Sequence, residues 1–162
     1  PATSPAGTRP PGAAFPPHPR DPTAGVGFPS ASSRMADDDR YELVAAGQPT
    51  GIVEIPVEWI RDDAVYFMME RYKGLRPHMP PRSALQIWID EFDAAQAEGA
   101  LFQLTMHPHI MGHRSRLLVL RALLEHITQH SDVWFASHAQ LADLFRTSLS
   151  AQFSAPRPVE TA

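Results

Sequence analysis

Nine of the 17 prolines fall in residues 1–35, and this crowding sets the first limit on what the chain can fold into. Proline lacks a backbone N–H and fixes φ, so a segment this rich in it fills neither a helix nor the centre of a sheet. Gly, Ser, Thr and Ala supply most other positions there, with Phe15, Val26, Phe28 and Met35 as the main large apolar residues. Such a stretch buries too little surface to offset a backbone ordering cost of about 1–2 kcal/mol per residue. Residues 1–30 are therefore expected to be largely disordered. They show no basic region followed by the apolar core of a secretory signal. The sequence opens on Pro1 rather than Met and reads as a fragment.

The remaining arithmetic excludes several classes. At 162 residues the chain matches one ordinary domain or part of a larger one. It has no cysteine, which removes disulfide scaffolds, thiolate zinc fingers and cysteine nucleophiles. A net charge of −4 argues against a nucleic-acid partner, which calls for a basic patch. No apolar run reaches the ~18–20 residues of a bilayer span, so no membrane partner is expected. The balance suits a reducing compartment, and a cytoplasmic location is the expectation.

From about residue 40, short apolar runs alternate with amphipathic ones. Residues 51–57 alternate and are β-branched, which predicts a strand. Asp62 and Asp63 then precede a predicted helix from Ala64 to Tyr72, ended by Gly74. Ser83 is a candidate cap for a second helix, whose Leu85, Trp88, Ile89 and Phe92 follow i, i+3, i+4, i+7 spacing; Gly99 stops it. Residues 100–106 form a nearly continuous apolar run and predict a buried strand. Ser115 to Thr128 predicts a third helix, with Leu117, Leu118, Leu120, Leu123, Leu124 and Ile127 as its buried stripe. Asp132 to Ala136 predicts a short strand and His138 to Phe145 a last helix, with a flexible tail over 148–162. Strands apolar on both faces, alternating with helices, predict a parallel α/β layer or barrel, here only in part. An incomplete barrel would leave strand edges open, so oligomerisation or pairing with a missing half is expected.

In such folds, ligands bind at the loops after the strands, and two of those loops carry chemistry. One is residues 58–63, Glu-Trp-Ile-Arg-Asp-Asp; the other is residues 107–114, His-Pro-His-Ile-Met-Gly-His-Arg. The acids of the first loop read either as helix caps or as partners for a base. His107, directly after a buried run, suits general acid or base work near neutral pH. Asp62 is a candidate to fix its tautomer and Trp59 to shield the pair from water. His107, His109 and His113 form H-x-H-x-x-x-H, three imidazoles able to leave zinc an open position for water, although Pro108 and Gly112 leave their convergence unfixed. His126 and His130 read first as favourable charge at a helix C-terminus. His78 and His138 read as loop and cap residues. Trp88, Phe92, Phe102, Trp134 and Phe135 read as core.

At several of these residues the chain resembles a known family. Residues 32–38 with Tyr41-Glu42-Leu43, residues 54–59 followed by Asp62-Asp63, the helix around Trp88 with Glu91-Phe92-Asp93, and Leu104-Thr105-Met106-His107-Pro108 all resemble the polysaccharide deacetylases with the NodB homology domain. The likeness runs from about residue 30 to 145, and the branch includes peptidoglycan deacetylases and allantoinase-like enzymes. It implies the C-terminal part of a distorted (β/α) barrel, occupying residues 31–147. It also implies metal-dependent hydrolysis of a non-peptide C–N bond in an N-acetylated polysaccharide, peptidoglycan or related small amide. His107 matches the family's general acid, and Trp59 with Asp62 or Asp63 its tuning motif. Arg9 is a candidate counterpart of its substrate-binding arginine. The zinc the family uses is held by an Asp and an H-x-x-x-H pair that match nothing ahead of Arg9, so its ligands are expected to be absent. The family commonly has arginine where His113 stands. The alternative is a non-catalytic truncated remnant or interaction module.

Overall fold

A computed structural model describes residues 29–45, 47–71, 74, 75 and 77–154, together with Gly7. The described residues fall into two compact units, one from Pro1–Ile55 and Phe135–Ala162, the other Pro56–Trp134. The segment 31–147 is thus divided between them. Most of residues 1–30, Arg9 included, lies outside the described residues.

The first unit is a small mixed sheet with one helix. β1 (Ser30–Ala31) runs parallel to β3 (Gln48–Glu54), and β2 (Tyr41–Ala45) runs antiparallel on its other side, giving the order β1-β3-β2. The purely parallel sheet expected from apolar strands is therefore corrected to a mixed one. β2 did not stand out in the sequence because its partner contact depends on a turn at Gly47, held at φ 78°, and no Asn-Gly or Asp-Gly pair announces it. β3 ends at Glu54, ahead of Pro56, which has no N–H to continue a ladder. Ala31, Leu43 and Ile52 form the core with Tyr41 packed against them. The carboxylate of Glu54, fully buried, accepts the backbone N–H groups of Ser33 at 2.5 Å and Arg34 at 2.7 Å. Burial first, and the Glu54 charge second, pushes the Tyr41 phenol up. α5 (His138–Ser154) lies against β3 and β1 and extends well into the predicted tail.

The second unit is mainly helical. A 3-10 turn (Trp59–Arg61) leads into α1 (Asp63–Phe67), followed by a small hairpin of β4 (Glu70–Arg71) and β5 (Gly74–Leu75). α1 is shorter than predicted because pairing of Glu70 with Leu75 and Arg71 with Gly74 draws the chain off the helix. α2 (Pro81–Glu98) begins two residues before Ser83, with Pro81 in the first turn, where its missing N–H costs nothing. α3 (Pro108–Met111) and α4 (Arg114–Ile127) complete the unit. Residues 100–106 contribute only an isolated parallel bridge, Asp62 with Thr105. Residues 132–136 form no strand, and Trp134 and Phe135 are exposed rather than core. The buried stripe of α4 is Val119, Leu123 and Ile127, while Leu117, Leu118 and Leu124 face solvent. No helix among the described residues is long and apolar enough to cross a membrane.

The core of this unit centres on Trp88, with Tyr66 and Phe67 set edge-on to its indole at 5.8 and 6.1 Å. Its Nε1–H donates to the Ile60 carbonyl at 3.1 Å, which also accepts the Tyr66 hydroxyl at 2.7 Å. Gly99 ends α2 in the left-handed region at φ 67°, and the Ala100 N–H closes the turn onto the Ala95 carbonyl at 2.8 Å. Nothing lies within 4 Å of where a Cβ would stand on Gly99, so substitution there is penalised through backbone conformation alone. Gly99→Ala is expected to cost about 1–2 kcal/mol, read as a lower urea midpoint at unchanged m-value, and Gly99→Asn less.

Candidate active site

The site grows from one backbone register. Thr105 N–H donates to the Arg61 carbonyl at 2.8 Å and Asp63 N–H donates to the Thr105 carbonyl at 3.1 Å. This short parallel pairing brings residue 107 alongside residue 63. Asp62 precedes α1 as its N-cap, its carboxylate accepting Ala64 N–H at 2.8 Å. Asp63, the first helical residue, turns its fully buried carboxylate to His107 instead. One oxygen of Asp63 accepts the His107 backbone N–H at 2.8 Å, and the other meets the ring Nδ1 at 2.6 Å.

The expected partner is thereby corrected. Asp62 stands 4.0 Å from Nδ1, occupied by its capping bond, and Asp63 sets the ring. The two acids are adjacent and chemically identical in sequence; only the helix register decides which one caps and which one turns inward. Trp59 sits on the 3-10 turn at 44% exposure and Ile60 beside it at 42%. Burial, followed by the Glu91 and Asp62 charges, pushes the Tyr66 phenol up, which keeps it an O–H donor to Ile60. Arg61 is buried, with its guanidinium 3.8 Å from Glu91.

His107 is fixed from the other side as well. Its carbonyl accepts the Ile110 and Met111 N–H groups, both at 2.8 Å, and those two residues anchor α3 in the core. The ring keeps 37% exposure, so it is held but reachable. With Nδ1 tied to Asp63, Nε2 is the ring atom open to proton exchange. His109 lies edge-on to His107 at 5.7 Å, whereas His113 turns its Nε2 to the His109 carbonyl at 3.2 Å. Among the described residues, the groups able to gather on a metal are Asp62-Asp63-His107 and Asp93-His126-His130. The His107-His109-His113 set is not one of them.

The first cluster does not fit the family's zinc. Asp63 spends one oxygen on each of its two bonds to His107, and one oxygen of Asp62 caps α1. No Asp with an H-x-x-x-H pair occurs in it.

With this geometry in hand, likeness to known proteins becomes informative. No family model matches the sequence. The chain is 32% identical over 110 residues to a peptidoglycan deacetylase of Helicobacter pylori, covering 66% of this chain and 38% of that protein. A crystal structure assigned to the polysaccharide deacetylases, from Mycobacterium smegmatis, superposes with a TM-score of 0.79 at 30% identity, over 98% of this chain and 54% of that one. The chain resembles the polysaccharide deacetylases. The structure of Puue allantoinase shares the fold at a TM-score of 0.64 and 22% identity, over 78% of this chain and 41% of that one. The chain spans about two fifths to one half of the length of these relatives. The mixed α/β content matches theirs.

Proposed function

We propose that the chain is the acid-catalyst portion of a hydrolase that deacetylates N-acetylated polysaccharide, with peptidoglycan as the first substrate class to try. The described elements would then be the C-terminal part of a distorted (β/α) barrel. The observation that carries this reading is the His107–Asp63 unit, a ring fixed at Nδ1 by a fully buried carboxylate and exposed on its other side. An imidazole so oriented delivers a proton from Nε2 to the amide nitrogen as its bond to carbon breaks, and the amine leaves neutral. The form that can do this is the doubly protonated ring, whose Nδ1–H Asp63 accepts while Nε2–H is left to be delivered. Polarising the carbonyl and delivering water would fall to groups outside the Asp62-Asp63-His107 unit. Likeness to the Helicobacter pylori peptidoglycan deacetylase supports the substrate class.

The test is release of acetate from N-acetylglucosamine oligomers and from peptidoglycan by the purified chain, with zinc or cobalt added. Turnover above the metal-only control is the expected result. No turnover with any divalent metal would overturn the hydrolase reading for this chain and leave the non-catalytic one.

A further inference from the structure

We propose that Asp93, His126 and His130 form a second, surface site for a divalent transition ion, with zinc as the natural occupant. It lies apart from the His107 unit, shares no residue with it, and does not depend on the hydrolase reading. Asp93 projects from α2, His126 from the last turn of α4, and His130 from the turn that follows. Their ligating atoms all lie within 4.8 Å of one another. Tetrahedral zinc with bonds of about 2.0–2.2 Å holds its ligand atoms about 3.3 Å apart, so only small side-chain shifts separate this arrangement from a bound one.

A simpler account would pair His126 with Asp93, whose atoms stand 2.6 Å apart, as an ion pair at a helix C-terminus. That account leaves His130 unexplained. Its ring is edge-on to His126 at 5.5 Å, and both imidazoles are edge-on to Phe92 at 5.3 and 5.7 Å. Phe92 is itself buried and braced by Phe102 at 5.6 Å, which gives the two rings a rigid backing. Gln96, one turn along α2 from Asp93, donates to the Asp132 carboxylate at 2.9 Å and fastens the turn carrying His130 to the same helix. Two imidazoles and one carboxylate suit zinc better than a hard cation such as magnesium. Half of the Asp93 side chain is exposed, leaving access for the ion and a fourth position for water.

The experiment is titration of the untagged chain with cobalt(II), followed by displacement with zinc. One ion per chain and the visible absorption of a tetrahedral cobalt centre are expected. His130→Gln and Asp93→Asn should each abolish that band while keeping the far-UV circular dichroism of the parent, and His107→Ala should retain it. Zinc should raise the melting temperature of the parent and of His107→Ala, but not of the other two variants. Absence of the band, or a band that survives both His130→Gln and Asp93→Asn, would overturn the site. A band lost in His107→Ala and kept in the other two would overturn it as well, by assigning the ion to the Asp62-Asp63-His107 cluster. None of these results depends on acetate release, so this proposal and the hydrolase reading fail separately.

Discussion

His107→Ala is expected to lower the rate of acetate release by about 10²–10⁴-fold, the span over which a positioned acid or base contributes. The fall should appear in kcat with little change in KM, because in the proposed role the ring acts on the leaving nitrogen during bond breaking rather than on the bound ground state. Asp63→Asn supplies a sharper comparison. An amide keeps an oxygen able to accept the His107 backbone N–H, so the loop should hold its place. The same side chain then presents an N–H to Nδ1 and no longer accepts from it, so the doubly protonated ring that the proposed acid step needs has lost its partner. Asp63→Asn should accordingly lose much of the rate while melting close to the parent. Asp62→Asn, altering a helix cap, should change stability by about 1 kcal/mol or less and spare most of the rate. Initial rates over a substrate series separate these outcomes. A His107→Ala chain retaining more than about a tenth of the parent rate would remove the ring from the chemistry.

Trp88→Ala should be the most damaging change to folding in the second unit, costing about 3–5 kcal/mol. The indole is fully buried, holds two aromatic edges and donates to the Ile60 carbonyl, so truncation leaves both a cavity and a weakened polar anchor. Against a total stability of about 5–15 kcal/mol, this is a large fraction. Trp88→Phe should be much milder, since the Tyr66 hydroxyl still satisfies Ile60. Leu118→Ala, on the exposed face of α4, should change stability by no more than about 0.5 kcal/mol. Urea unfolding of the three variants against the parent ranks them. Equal midpoints for Trp88→Ala and Leu118→Ala would refute the placement of this core.

The parts of the molecule legible in the sequence are those set by local rules. α2 and its stop at Gly99 follow from apolar spacing and one left-handed residue, and α4 starts and ends within a residue of its expected bounds. His107 stood out as a candidate because an imidazole directly after an apolar run suits acid or base work, but its pairing with Asp63 needed the fold. What failed was non-local. Residues 100–106 look like a strand, yet a strand needs a neighbour, and only Thr105 finds one, at Asp62. The leucines of α4 are dense enough to cover more than one face, so spacing alone could not say that Val119, rather than Leu117 or Leu118, points inward. Asp93 stood out only within the Glu91-Phe92-Asp93 resemblance and never as a partner of His126: that pairing spans 33 residues and exists only once α2 and α4 are side by side.

That same separation governs when the His107 unit can exist. Asp63 and His107 are 44 residues apart, with the whole of α2 between them, and they are joined through a bridge of two backbone hydrogen bonds. Closing a flexible loop of that length costs about 3 kcal/mol of chain entropy, before any constant term. A lone bridge returns too little to meet this until the helices have docked on Trp88. The ring and its carboxylate therefore assemble late, and a chain with every helix formed but α2 undocked lacks the His107–Asp63 pair. Under the proposed function, acetate release during refolding should lag helical signal, with the delay set by topology rather than by any property of the imidazole.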